Sequence, residues 1–214
     1  MSSPTAPDAP LAPTPGAPTG DALPGPDGLP RCPWSLATED YRAYHDTEWG
    51  RPVRGDRELF ERLSLEAFQS GLSWLTILRR REGFRTAFAD FRIPVVAAYG
   101  AEDVTRLLAD PGIIRNRAKI EATLHNARVL TGWPKGRLTE LIWSRAPAPA
   151  PAPRTTAAIP AVTPASTALA KDLKREGLRF VGPTTAYALM QACGLVDDHL
   201  ADCHVRVRRE PGTG

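Results

Sequence analysis

Asp56-Arg57-Glu58-Leu59-Phe60-Glu61-Arg62-Leu63-Ser64-Leu65-Glu66-Ala67-Phe68-Gln69-Ser70-Gly71-Leu72-Ser73-Trp74 is the stretch on which the fold turns. Leu59, Phe60, Leu63 and Ala67 recur at the three-to-four spacing of an amphipathic helix, Asp56 stands where a cap is expected, and Gly71 ends the pattern. Ser73 is placed to cap a following helix that carries Trp74, Ile77, Leu78, Phe84 and Phe88 and runs until Pro94 intervenes. Further along, the same spacing predicts helices over 102–109, 115–130, 138–143 and 165–176, the last opened by Thr163 and Pro164 and closed by Gly177. Strand patterns are almost absent. The expectation is an all-α domain spanning residues 31–204.

One residue breaks the polar-out pattern. On the helical wheel Glu66 lies about 20° from Leu59 and about 60° from Leu63, so it projects from the apolar stripe and not from the side that carries Glu58 and Glu61. A carboxylate there is paired with an arginine or backbone amides, protonated, or functional. The sequence around it is rich in aromatics: Trp34, Tyr41, Tyr44, Trp49 and, past the helix, Trp74. Such residues are core in most proteins. Four of these crowd the segment that also holds Cys32, His45, Asp46 and Glu48, and π faces converging with a carboxylate suit a flat, cationic ligand.

The chain has 214 residues, but nine of its 22 prolines precede Arg31 and six more lie between Pro147 and Pro164. Residues 1–30 carry three aspartates and no basic residue among Ala, Pro, Gly and Thr, a composition that reads as a mobile tail. Removing their charge from the formal net +3 leaves the remainder near +6, which permits a polyanionic partner. Residues 146–153 alternate Ala and Pro and read as an extended surface connector, and residues 205–214 read as a short basic tail. No apolar run approaches a membrane span and no signal-peptide pattern opens the chain, so the expectation is a soluble cytoplasmic protein with no membrane partner.

Cys32, Cys193 and Cys203 are too few for a disulfide scaffold. Cys32 and His45 stand near the start of the fold, and His199 and Cys203 at its end with helical spacing between them. Two thiolates and two imidazoles would fill a tetrahedral structural zinc site; alternatively Cys32 is a small buried hydrophobe and the histidines bond locally. The run Phe180-Val181-Gly182-Pro183-Thr184-Thr185-Ala186 places a glycine turn before a helix whose first amides suit a phosphate, or forms a plain helical hairpin.

Several runs together resemble the DNA-3-methyladenine glycosylase I family of helix-hairpin-helix glycosylases. They are Cys32-Pro33-Trp34, Tyr44 to Gly50, Leu65 to Trp74, Gly112 to Ile120 and Phe180 to His199, in the family's order. The resemblance implies a two-lobed, mostly helical glycosylase fold whose N- and C-terminal segments are clipped by one structural zinc ion on Cys32, His45, His199 and Cys203. It implies a base pocket of Trp34, Tyr41, Tyr44, Trp49, Glu66 and Trp74, with Glu66 as recognition and electrostatic group before general base. Gly71 and Leu72 would form the wedge that fills the gap left by an extruded nucleotide, and Gly182, Thr184 and Thr185 would grip the DNA backbone.

The activity implied is hydrolytic excision of 3-methyladenine from alkylated double-stranded DNA by a monomer, with free 3-methyladenine as product and an abasic site left behind. Thr184 stands where lyase relatives carry a lysine, which implies no strand cleavage. Asp197 is weighed as a contributor to stabilising the sugar cation or as a cap for the segment bearing His199. His204, beside Cys203, is weighed as a substitute metal ligand. The competing readings are a non-catalytic zinc-stabilised binder of alkylated or bent DNA, and a thiol enzyme using Cys32 and His45.

Overall fold

In a computed structural model, which describes residues 20–207, the apolar stripes close on one another around the helix opened by Asp56. The described residues open on a two-stranded antiparallel hairpin, β1 (Leu23–Pro24) and β2 (Pro30–Arg31), and a 3₁₀ turn over Pro33–Ala37. Helices α1 (Glu39–Thr47), α2 (Asp56–Gln69), α3 (Trp74–Leu78), α4 (Arg81–Ala87), α5 (Ile93–Ala97) and α6 (Ala101–Ala109) follow. Then come α7 (Arg117–Thr131), α8 (Arg137–Trp143), α9 (Pro164–Arg175), α10 (Pro183–Ala192) and α11 (His204–Val207). Among the described residues no helix is long and apolar enough to cross a membrane.

α2 is the centre. It packs against α3, α7, α8 and α10, and Leu59, Phe60, Leu63, Leu65 and Phe68 are all buried in the main core. Gly194, at φ +72°, lets the end of α10 approach the loop after α1 so closely that a Cβ would meet Gly50 O and Pro52 N at 2.7 Å. The base of α1 and the end of α10 are thereby drawn to the same side of α2.

Ser73 caps α3 as expected, its Oγ accepting from the Thr76 amide at 3.3 Å. The helix that follows is not continuous to Pro94. It breaks at Arg80, and the turn redirects α4 so that Phe84 and Phe88 pack on Phe68 with ring centroids 4.7 and 6.0 Å apart. Asp56 is not the cap of α2, whose N-cap is Gly55. Its carboxylate instead accepts from the amides of Gly136 (2.7 Å) and Thr139 (2.9 Å), so it caps α8 from a distance.

The reading of residues 1–30 as a tail is corrected for 20–30; residues 1–19 lie outside the described residues. The β1–β2 hairpin is pinned by Arg31, whose buried guanidinium bridges Asp27 and Asp46, and by the bond from the Asp21 amide to Arg154 O. Ala22 joins Cys32, Leu200, Cys203 and Val205 in a second small core. The basic tail is corrected likewise. Residues 205–207 lie in α11, Val205 is buried, and Arg206 donates to the carbonyls of Asp197 and His199. Residues 208–214 are outside the described residues. Residues 146–153 carry neither helix nor strand and are mostly exposed, as expected, with the Ala201 amide bonded to Pro153 O at their far end.

Candidate functional site

Two short elements and two long ones meet at a cavity of about 340 Å³. The 3₁₀ turn supplies Trp34, α1 supplies Tyr41 and Tyr44, the turn closing α1 supplies Trp49, α2 supplies Glu66 and α3 supplies Trp74. All six residues expected in a base pocket therefore line one cavity. Trp34 is the hub, with ring centroids 4.8 Å from Tyr41, 6.5 Å from Tyr44 and 5.1 Å from Trp49; Tyr44 lies 5.5 Å from Trp74. Trp49 is turned toward this group because the amides of Glu48 and Trp49 both bond back to Tyr44 O.

Glu66 is 4 % exposed and its carboxyl is pushed up to about 8 by burial, against the opposing charge of Arg62 one turn earlier. It is not locked to that arginine. Arg62 donates to Glu48 at 3.0 Å, and Arg81 holds Glu48 with two bonds of 2.6 and 2.8 Å. Two buried polar atoms of the cavity wall, Glu66 Oε2 and Trp74 Nε1, have no hydrogen-bond partner among the described residues. One is an acceptor and the other a donor, and a buried group of either kind left unmatched costs about 1–3 kcal/mol.

Behind Trp34 and Trp49 lie the sulfur and imidazole residues. Cys32, His45 and Cys203 are buried, with ligand-capable atoms all within 4.8 Å of one another, and Cys203 Sγ lies 3.5 Å from His45 Nε2. His199 is outside that tight trio, yet its ring is 4.9 Å from that of His45 and its Nε2 is buried without a partner. Each histidine bonds a carboxylate through Nδ1: His45 to Asp46 at 2.8 Å and His199 to Asp197 at 2.7 Å. That arrangement fixes the ring and presents Nε2, as metal-binding histidines require. The cysteines favour sharing one thiolate. A hydrogen bond from Cys32, with burial opposing and His45 assisting, holds the Cys203 thiol well below its usual range, while the Cys203 sulfur and burial push Cys32 up. A donor set of two sulfurs and two Nε2 atoms fits zinc.

The segment between His199 and Cys203 is a turn and not a helix, so the pair meets through chain reversal and not through helical spacing. Asp197 Oδ1 accepts from the His199 amide (3.2 Å) and bonds its ring Nδ1 (2.7 Å), a local bond of the kind weighed against a sugar-stabilising role. His204 Nε2 bonds Asp46 at 3.2 Å and its Nδ1 is buried without a partner, but its ring stands farther from His45 (6.5 Å) than that of His199 (4.9 Å).

The remaining site residues sit on two exposed turns. Gly71, at φ +83°, presents Leu72, which is 41 % exposed. In the hairpin the left-handed position is Phe180 (φ +57°) and not Gly182, whose φ is −75°. A Cβ at Gly182 would touch nothing within 4 Å, so the bare backbone leaves room for something outside the protein. Pro183 opens α10, and the amides of Thr184 and Thr185 follow at its unbonded end.

This chain belongs to the methyladenine glycosylase family, which it matches over residues 34–207. It is 45% identical over 179 residues to DNA-3-methyladenine glycosylase 1 of Escherichia coli (strain K12), covering 82% of this chain and 96% of that protein. A crystal structure of 3-methyladenine DNA glycosylase I matches with a TM-score of 0.77 at 44% identity, covering 81% of this chain and 98% of that one. The 3-methyladenine DNA glycosylase I of Staphylococcus aureus, whose structure describes 3-methyladenine recognition, matches with a TM-score of 0.77 at 33% identity, covering 84% and 98%.

Sequence reasoning missed part of the wall. Gln69, Ala188 and Gln191 line the cavity from α2 and α10, and Thr156 and Ile159 close it from beyond the Ala-Pro connector. Gln191 is steered by Asp198, which accepts from its Nε2 at 2.8 Å and from Tyr187 at 2.5 Å. The only local signal was the spacing of Tyr187 and Gln191 on one face of α10.

Proposed function

We propose that the protein is a monofunctional DNA N-glycosylase that extrudes 3-methyladenine from alkylated double-stranded DNA, hydrolyses its bond to deoxyribose and leaves an abasic site. The observation that carries this reading is the buried carboxylate of Glu66, unlocked by any arginine, with Oε2 unmatched at the wall of an aromatic cavity. The names and activities of the relatives support it.

A purine methylated at N3 is cationic, so the electron pair of the glycosidic bond leaves readily onto N9 while water adds to C1′ and loses a proton. Little catalytic force is needed; selection is the harder task. Trp34, Tyr41, Tyr44, Trp49 and Trp74 offer π faces to the cation, and Glu66, which burial keeps protonated near neutral pH, releases its proton to solvent as the cation arrives, then accepts a hydrogen bond from the base and stabilises its charge. A neutral purine gains less from either and is rejected. Tyr44 is a second polar contact. Burial, then the charge of Glu66, pushes its phenol well up, so it meets the base as a neutral hydroxyl.

Leu72, presented by Gly71, fills the gap in the stack, and Gly182 with the amides of Thr184 and Thr185 holds the backbone phosphate. Thr184 has no amine, so this position cannot form an imine with the sugar and strand cleavage is not expected. Cys32, His45, His199 and Cys203 would hold one zinc ion, and four protein ligands would make it a structural tether and not a source of activated water. One chain contains every residue the reaction uses, so a monomer suffices.

The test is single-turnover release of free 3-methyladenine from alkylated duplex DNA, comparing the native protein with Glu66→Gln. The native protein releases the free base and leaves the strand uncut at the abasic site. The variant is expected to be slower by about 100-fold. A native protein that binds the DNA and releases no base is the non-catalytic binder instead, and a variant that retains both excision and free-base affinity removes Glu66 from its role.

A further inference from the structure

α7 carries three polar side chains that are almost wholly buried: Lys119, Thr123 and Asn126. Thr123 Oγ1 donates to Lys119 O one turn back at 3.0 Å, an ordinary bond within a helix. The other two reach out of the helix. Lys119 Nζ donates to Phe68 O at 2.8 Å and Ser70 O at 2.6 Å, the carbonyls at which α2 ends and the chain turns into Gly71 and Leu72. Asn126 brackets the hairpin, its Oδ1 accepting from the Arg179 amide at 2.8 Å and its Nδ2 donating to Arg179 O at 3.1 Å. Its neighbour His125 donates from Nε2 to Gly177 O at 2.9 Å.

Lys119 and Asn126 are seven residues apart, which puts them about 20° apart around α7 and about 10 Å apart along it. One face of one helix thus holds two turns that are distant in sequence, each immediately before an exposed apolar side chain. Leu72 and Phe180 are both 41 % exposed. Both turns use the left-handed region, Gly71 at φ +83° and Phe180 itself at φ +57°, and a bulky residue there persists only when its surroundings impose it. Neither Lys119 nor Asn126 lines the base cavity. The Lys119 ammonium donates to the carbonyls of Phe68 and Ser70, burial lowers its affinity for protons, and an apolar side chain of equal length would avoid that cost.

We propose that Lys119 and Asn126 are positioning residues for DNA engagement: α7 is a strut that fixes the spacing between the Leu72 turn and the Phe180 hairpin so that both meet one duplex in register. The inference rests on the reading of Gly71 and Leu72 as wedge and of the hairpin as backbone grip. Extrusion needs the wedge in the stack while the backbone is held, so an error in the spacing of the two turns slows presentation of the base. The cavity is lined by neither Lys119 nor Asn126, so its affinity for the free base is a separate measure from the spacing of the two turns.

Two readouts separate these events: single-turnover excision from alkylated duplex DNA, and affinity for free 3-methyladenine followed by quenching of the cavity tryptophans. Lys119→Met and Asn126→Ala are expected to slow duplex excision by about tenfold or more while free-base affinity stays within about twofold of native. Thr123→Val, a buried polar substitution on the same face that touches neither turn, keeps both readouts. Parallel loss of both readouts in Lys119→Met and Asn126→Ala overturns the strut, as does loss of neither or an equal loss of excision in Thr123→Val. If Lys119→Met does not fold, Asn126→Ala and Asn126→Asp carry the test. Leu72→Ala distinguishes the layers. Unchanged excision there refutes the wedge reading itself, whereas slowed excision there with native rates in Lys119→Met and Asn126→Ala refutes the strut alone.

Discussion

Replacing Glu66 by glutamine should stabilise the folded protein while impairing its activity, and the stabilisation should depend on pH in a defined window. Burial raises the carboxyl from its ordinary 4.5 to about 8, so between those values the unfolded chain has released its proton and the folded chain has not. The folded state then binds more protons than the unfolded one, and stability falls by about 1.4 kcal/mol for each pH unit, or about 5 kcal/mol across the whole window. The contribution is fully present below pH 4.5, is lost progressively as pH rises and is gone above about 8. Glutamine does not ionise, so the variant lacks this slope. Its amide adds a pH-independent offset of about 1–3 kcal/mol if left unmatched, which cancels when two pH values are compared. Urea unfolding of both proteins at about pH 5 and about pH 9 gives the difference of differences, and the variant should gain several kcal/mol relative to native at the higher pH. Parallel stabilities at both pH values would refute the claim that this carboxylate is stranded away from water and base pairing partners alike.

Asp56→Ala should cost about 1–2 kcal/mol in urea unfolding without altering free-base affinity, because it removes the cap of α8 and touches no cavity residue. Elemental analysis should find about one zinc ion per chain, and Cys203→Ser should both lower that content and reduce the thermal midpoint by about 10 °C. An unchanged midpoint in metal-free protein would remove the tether.

The sequence made α2 and its odd carboxylate readable because helical spacing is a local property: Leu59, Leu63 and Glu66 share a face whatever the rest of the chain does. The aromatics were readable as a group because Trp34 to Trp49 lie within two short elements. The cysteines and histidines weighed as metal ligands were weakly readable from residue type, and their assembly was not, since it depends on the turn between His199 and Cys203 and on the bonds of Asp46 and Asp197 to the two imidazoles. Composition misjudged residues 20–30 for the same reason. Ala, Pro and Gly cannot bury enough surface among themselves, but Ala22 needs to bury little when Leu200 and Val205 come to it from the other end. Asp56 stood at a sound capping position and found better partners 80 and 83 residues away. Thr156 and Ile159 in the far wall carried no periodic signal, and Gln191 only its spacing from Tyr187; their place follows from how α10 and the connector meet the cavity.

The cysteine and histidine cluster and the cavity are mechanically one structure. Trp49 stands edge-on to His199 with centroids 4.6 Å apart, and Trp34 stands edge-on to His45 at 5.2 Å. The two imidazoles therefore back the two indoles that form one side of the cavity. Each imidazole is in turn fixed by a carboxylate, Asp46 or Asp197, and Asp46 is also the anchor that Arg31 uses to hold the β1–β2 hairpin. The segment that supplies Trp34 has little core of its own beyond the small cluster around Cys32 and Cys203. A metal clip at that cluster would accordingly do more than join the chain ends: it would hold the imidazoles that back two aromatic walls of the cavity. Loosening it should broaden what the cavity accepts before it abolishes binding, because Tyr44, Glu66 and Trp74 are carried by the main core and stay in place.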